Sequence, residues 1–147
     1  PIIQESKAEV EKRLINPQQD DREFIIEKKD GPKIGFITHF TFGRQLELGF
    51  ALAPSERRKG YCTEAINIMV DYLFLSKNVV RVQAATNVEN VPCQKVLEKA
   101  GFQMEGRLRK SYFVRGEWKD IFMYSILREE WKEPKILVGK ELGYGSS

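Results

Sequence analysis

Arg57, Arg58 and Lys59 stand directly before Gly60, Tyr61, Cys62 and Thr63 in the stretch "RRKGYCTEA", residues 57–65. A strand pattern leads into this turn and a helical pattern leaves it. The first N–H groups of a helix have no intrahelical partner, and the helix dipole adds partial positive charge at that end. A strand–turn–helix start can therefore hold an anion, above all a phosphate. Three cations add charge, and Gly60 admits a ligand without a Cβ in the way. The spacing is neither GxxxxGK[ST] nor GxGxxG. Two readings stay open on these residues alone: a phosphate cradle, or a basic turn that faces water.

The thiols are the next candidates for chemistry. Cys62 and Cys93 form no CxxC pair, and one histidine, His39, cannot complete a zinc cluster of the usual kind. No metal is expected. Cys93 could act as a nucleophile, but it shares a helix face with Val96, Leu97 and Ala100 at i+3, i+4 and i+7, which is core spacing. No histidine lies nearby in sequence to activate it, so packing is the favoured role. His39 lies on a strand and reads as structural or merely exposed.

The elements that must position these groups follow from pattern. Residues 5–14 read as a short helix with a thin apolar face of Ala8, Val10 and Leu14. "REFIIEKK", "KIGFITHFTFG" and "QLELGFALAP" read as three strands, with turns at "DGP" and at Gly43-Arg44. Ile66, Met69, Val70, Leu73 and Phe74 then follow helical spacing, from about Cys62 or Thr63 to Lys77-Asn78. "VVRVQAAT" is a strand rich in β-branched residues. "NVENVPCQKVLEKAG" is a second helix, with Pro92 in its first turn and Gly101 past its end. A hairpin turning at "RGEW" closes the fold, and the tail starts helical and breaks at Pro134. A strand, crossover helix and strand imply a parallel pair flanked by antiparallel strands, an α/β fold with a mixed sheet. Ligands in such sheets bind at the carboxyl ends of the parallel strands, where the basic turn lies.

With 147 residues the chain has room for one domain with one core. Its 24 Lys+Arg against 21 Asp+Glu leave a net charge of +3, which suits an anionic ligand. A nucleic-acid partner is disfavoured, because the charge is nearly balanced and the cations of the turn are interleaved with no stacking aromatic beyond Tyr61. Charge begins at Glu5, so the N-terminus is neither a signal peptide nor a membrane span, and a cytoplasmic location is expected. The first residue is Pro1, which leaves processing and an incomplete chain both open.

"GFALAPSERRKGYCTEAI" and "NVENVPCQKVLEKAGFQMEGRLRKSYFVRGEWKDIFMYSIL" together resemble the GNAT acetyltransferase superfamily, on the branch of the ribosomal-protein N-terminal acetyltransferases. The resemblance spans roughly residues 22–131. It rests on a [QR]-x-x-G-x-[GA] signature, Asn-x-x-Ser/Cys before a helix ending in Gly-Phe, Glu-Gly-x-x-Arg, and an acidic residue beside the aromatic of the last strand. It implies one acetyltransferase domain over residues 1–131, a tail over 132–147, and an acetyl-CoA-dependent N-acetyltransferase acting on a small amine or a protein N-terminus. The family's usual first strand, with a Leu-x-Leu-Arg pattern, is not found. A homodimer through the sheet or the tail fits the same picture.

The resemblance implies that "LGFALAP" splays from "VVRVQAAT" and that the pantetheine arm pairs with backbone near Phe50, Ala51 and Leu52. The pyrophosphate falls on N–H groups from Arg58 to Thr63, with Arg57, Arg58 and Lys59 adding charge and Tyr61 within the turn. Asn90 matches the residue that holds the pantetheine arm, and Cys93 stands where relatives carry Ser near the sulfur. Arg58 replaces a signature glycine, and Cys62 fills the final [GA] position. Glu47 is the candidate base, acting through water, against a plain surface strand glutamate. Tyr112 is the candidate acid for the leaving thiolate, against a packed aromatic. Backbone N–H near Phe50 or Ala51 polarises the thioester carbonyl, and attack is direct. Trp118 and Asp120 fall in the hairpin, in structural or acceptor-rim roles. A non-catalytic coenzyme A-binding sensor module is the alternative.

Overall fold

The computed structural model describes residues 21–134. The helix expected over residues 5–14 lies outside them. Among the described residues six strands occur: β1 (Arg22–Glu27), β2 (Lys33–Phe42), β3 (Gln45–Leu52), β4 (Arg81–Asn87), β5 (Gln103–Val114) and β6 (Glu117–Leu127). Three α-helices accompany them: α1 (Tyr61–Ser76), α2 (Val91–Lys99) and the short α3 (Arg128–Trp131). A 3₁₀ turn at Pro54–Glu56, not foreseen from pattern, separates β3 from the basic turn. The strands form one sheet in the order β1-β2-β3-β4-β6-β5, antiparallel everywhere except the β3–β4 pair. The mixed α/β sheet expected from sequence is therefore what the chain forms.

Local chemistry sets the ends of these elements. The β2–β3 hairpin turns at Gly43, with φ +63°. The β5–β6 hairpin turns at Arg115 and Gly116, both left-handed, the backbone a two-residue turn between twisted strands demands. Asn90 caps α2 by accepting the Cys93 N–H at 3.2 Å, and Pro92 sits in the first turn, where no N–H is missed. Gly101, at φ +91°, ends that helix, and the Phe102 N–H returns to the Leu97 carbonyl at 3.0 Å.

Both long helices cover one face of the sheet. Ile66, Met69, Val70, Leu73 and Phe74 of α1 and Leu97 and Ala100 of α2 pack over Ile37, Leu48, Val82, Ala84, Tyr124 and Ile126. Each large aliphatic buried in this layer contributes about 1.5–3 kcal/mol. Strand alternation puts Phe36, Thr38, Phe40, Glu47, Gly49 and Gln83 on the opposite face. The chain's last described helix is tied down: the Trp131 indole N–H donates to buried Asp71 at 2.8 Å, and Arg128 donates to the carbonyls of Val79 and Lys77 at 2.8 and 2.6 Å. Among the described residues, no helix is long and apolar enough to cross a membrane.

His39 is fully buried, with its ring 6.1 Å from Phe24 and 6.4 Å from Tyr72. Neither ring nitrogen has a hydrogen-bond partner among the described residues. Burial lowers its pKa, the Arg22 charge adds to that, and the Asp21 carboxylate works against it. The fold thus holds a neutral imidazole that the unfolded chain protonates below about pH 6.5. Stability is expected to be full above that pH and to decline as pH falls toward the lower folded-state value. Urea melts of wild type and His39→Phe between pH 7.5 and 5 check this. The variant should lose part of the acid-side slope, and an unchanged slope removes His39 as its source.

Candidate functional site

β3 and β4 pair through only three rows, Leu46↔Val82, Glu47↔Gln83 and Leu48↔Ala84. Among the described residues, β3 beyond Leu48 continues to Leu52 with partners only on β2, and β4 beyond Ala84 continues to Asn87 with partners only on β6. The carboxyl halves of the two parallel strands therefore diverge into a V-shaped gap with its apex at Leu48 and Ala84. The Ala53 N–H donates to the Ile34 carbonyl at 2.8 Å, which fixes the phase of the antiparallel ladder. Ala51 shares that phase and turns its polar backbone toward β2, while Phe50 and Leu52 turn theirs into the gap. The expected site backbone thus divides: Phe50 and Leu52 present free groups to a ligand, and Ala51 does not. Such groups need an outside partner, and an extended ligand rich in amides provides it.

At the mouth of the gap the basic turn takes the backbone an anion site needs. Gly60 is left-handed, at φ +83°, and caps α1 without any side-chain hydrogen bond. The first N–H groups of that helix, from Tyr61 to Thr63, therefore have no intrahelical partner. Arg58 is also left-handed, at φ +66°, a conformation that costs a non-glycine residue about 1–2 kcal/mol. This is the position where Arg58 replaces a second glycine of the signature, one at which the resembling family is often permissive. The three cations are not equivalent. Lys59 lies 3.3 Å from Glu56, which Lys28 also engages at 2.8 Å, whereas Arg57 and Arg58 have no acidic partner among the described residues. Lys28 also stands over the Tyr61 ring, 5.4 Å from its centroid. Its hydrogen bond is the main reason the Glu56 carboxyl lies below the usual range. Lys28 sits past the end of β1 and escaped sequence reasoning, because no local pattern links it to the turn.

Asn90 is exposed at the start of α2, and its side-chain oxygen is committed to the cap, leaving its amide N–H₂ as the group open to a ligand. Cys62 and Cys93 lie in the first turns of α1 and α2 and pack against the core. Both are free thiols. Burial, and next the neighbouring Cys93, push the Cys62 thiol up to about 12. Burial also raises Cys93, against a hydrogen bond from Thr86. Neither carries the thiolate a covalent mechanism requires at neutral pH, which agrees with the packing role read for Cys93. Iodoacetamide at pH 7.5 is therefore expected to label the native protein slowly and both cysteines rapidly in urea. Rapid native labelling at either position would contradict the burial described.

Glu47 sits beside the apex of the gap, half-buried, and accepts a hydrogen bond from the Gln83 side-chain amide at 2.7 Å. Tyr112 is elsewhere. It lies on the outermost strand β5 opposite Lys119, 52% exposed, with β6 between its strand and β4. The structure does not bring it to the gap, and the acid role read for it fails on that geometry. Trp118 is exposed and stacks near Phe113 at 5.3 Å. Asp120 fastens the hairpin instead, binding Arg107 and the Lys110 N–H, both at 2.8 Å. A different phenol reaches the last turn of α2: buried Tyr124 donates to Glu98 at 3.4 Å, and its pKa is raised first by burial and then by the Glu98 charge. No periodicity singled it out, because an aromatic on a central strand reads simply as core. Among the described residues, no group of three or more His, Cys, Asp or Glu could hold a metal ion.

A family model described as the acetyltransferase (GNAT) domain matches residues 2–103. The uncharacterized N-acetyltransferase YnaD of Bacillus subtilis is 34% identical over 109 residues, 73% of this chain and 64% of that protein. YdaF of the same organism, provisionally named a ribosomal N-acetyltransferase, is 31% identical over 109 residues, 72% of this chain and 60% of its own length. The chain thus spans a little under two thirds of these relatives. Among solved structures, the spermidine N-acetyltransferase of Vibrio cholerae in complex with CoA and spermine aligns with a TM-score of 0.75 at 27% identity, over 88% of this chain and 80% of that one.

Proposed function

The chain belongs to the GNAT acetyltransferase family, and from that premise we propose that it is an acetyl-CoA-dependent N-acetyltransferase working by direct attack in a ternary complex. The observation that carries this reading is the gap between β3 and β4, with Phe50 and Leu52 facing it and the uncapped start of α1 at its mouth. In this reading the pantetheine amides bond the free backbone of Phe50 and Leu52, and the pyrophosphate takes the N–H groups from Tyr61 to Thr63. Arg57 and Arg58 supply the unpaired positive charge. The Phe50 N–H, which points into the gap, polarises the thioester carbonyl; Ala51, facing β2, does not share that task.

The acceptor is a primary amine, of a small molecule or of a protein N-terminus. Its nitrogen forms the bond to the acetyl carbon, and the carbon–sulfur bond breaks. The amine proton passes through water to the Glu47 carboxylate, and the departing thiolate takes a proton from solvent. The spermidine acetyltransferases among its structural neighbours support a polyamine as one acceptor to try, and YdaF supports a ribosomal protein. The test is a panel of polyamines, small amines and N-terminal peptides with acetyl-CoA, read by mass spectrometry and by thiol release. Acetylated product from any member supports the enzyme. Tight coenzyme A binding with no release across the panel supports the sensor reading instead.

A further inference from the structure

We infer that Gln83 is a positioning residue that holds the Glu47 carboxylate at the apex of the gap; this rests on the reading of Glu47 as the base. Gln83 lies on β4 directly opposite Glu47 in the parallel register and is 5% exposed. Its side-chain N–H donates to Glu47 Oε1 at 2.7 Å. Its Oε1 accepts from Arg81, from Nε at 3.2 Å and from a terminal guanidinium nitrogen at 3.1 Å. Arg81 in turn pairs with Glu105, whose carboxyl is held below the usual range chiefly by a hydrogen bond from Ser125 and then by Arg81. Ser125 closes the row, opposite Gln83 across the β4–β6 ladder.

The network fixes which way the amide points. A flipped Gln83 would set its N–H₂ against a guanidinium and its oxygen against a carboxylate. Arg81 therefore commits the oxygen, and the N–H must face Glu47. Glu47 Oε2 has no partner among the described residues, so one oxygen of the base is anchored and the other is left to take a proton. A base held this way pays less to reach its reacting geometry, and a misplacement of about 1 Å can cost up to about 100-fold in rate. The row also spans four strands on the face that α1 and α2 leave uncovered, so it ties the base to the rigid part of the sheet rather than to the splayed strand ends.

The experiment is a double-mutant cycle on the full chain, with Gln83→Leu and Glu47→Gln alone and together. Gln83→Leu is expected to lower kcat about 10-fold, with the KM for acetyl-CoA and the calorimetric affinity for coenzyme A unchanged. In the Glu47→Gln background the same substitution should have almost no further effect, because there is no base left to position. Equal losses in both backgrounds, or a change confined to KM, overturn the inference. Wild-type kcat in Gln83→Leu beside a crippled Glu47→Gln overturns positioning while leaving the base reading intact. Wild-type kcat in Glu47→Gln overturns both. Thermal melts accompany each variant. If Gln83→Leu folds poorly, Arg81→Met supplies the second arm: it frees the amide to turn, and a smaller loss that again vanishes with Glu47→Gln is expected.

Discussion

Gly60→Val is expected to raise the KM for acetyl-CoA by about 10- to 100-fold while leaving the fold intact. Gly60 sits at φ +83°, where a Cβ costs about 1–2 kcal/mol, and a β-branched residue is worse placed still. A Cβ built there meets no atom within 4 Å, so the protein itself has room for it. In the proposed reading the pyrophosphate approaches the N–H groups of α1 beside this glycine. Relief of the strain swings those donors away, and each hydrogen bond to a charged oxygen that is lost is worth about 1.5–3 kcal/mol. One such bond is a factor of about 10 in affinity and two are a factor of about 100.

A matched control separates the cradle from general strain. Gly43 is also left-handed, at φ +63°, and a Cβ there also meets nothing within 4 Å, but it lies in the β2–β3 turn at the opposite end of the strands. Gly43→Val should show a similar loss in Tm and an unchanged KM. Coenzyme A titrations of the two variants decide the matter. Equal affinities in both would remove Gly60 from the binding site.

The legible parts of this fold were those whose signal is local. Helix α1 follows from Ile66, Met69, Val70, Leu73 and Phe74, all buried as their spacing requires. The ends of α2 follow from Asn90, Pro92 and Gly101, each acting on its own turn. The strand–turn–helix start at Gly60 was legible for the same reason, since that glycine stands just before the helical pattern. What escaped depends on register between distant segments. The Glu47–Gln83 bond joins residues 36 apart, brought level only by the three-row parallel pairing. Glu56 draws Lys59 away from its free role, and nothing local announces Lys28 as its second partner. Tyr112 was assigned from the resemblance by its place in the hairpin, and that place says nothing of which hairpin strand pairs with β4. The hairpin pairs its second strand with β4, and Tyr112 stays on the outer strand opposite Lys119, even though the slip between Leu108 and Tyr112 takes up two residues of β5. His39 was ambiguous because alternation gives two faces to β2 without saying which one the helices cover.

Glu47→Gln is expected to lower kcat by about 100-fold or more, the usual worth of a positioned general base. Glutamine keeps the size of the side chain, and its oxygen can still accept from Gln83, so the apex of the gap should hold its shape. What it cannot do is take the amine proton. The KM for acetyl-CoA should stay near wild type, because the cradle at Gly60 and the backbone of Phe50 and Leu52 are untouched. The deficit should also shrink as pH rises toward the pKa of the acceptor, where the amine loses its proton to solvent before attack. For a protein N-terminus that range begins near pH 7.7–8.0, and for a primary alkylamine like that of lysine near about 10.4. The pH at which the variant recovers therefore reports the kind of amine at the site, independently of which acceptors a screen happens to contain. Wild-type rates at every pH would take Glu47 out of the mechanism. A constant deficit across the whole range would mean that the carboxylate orients the acceptor rather than accepting its proton.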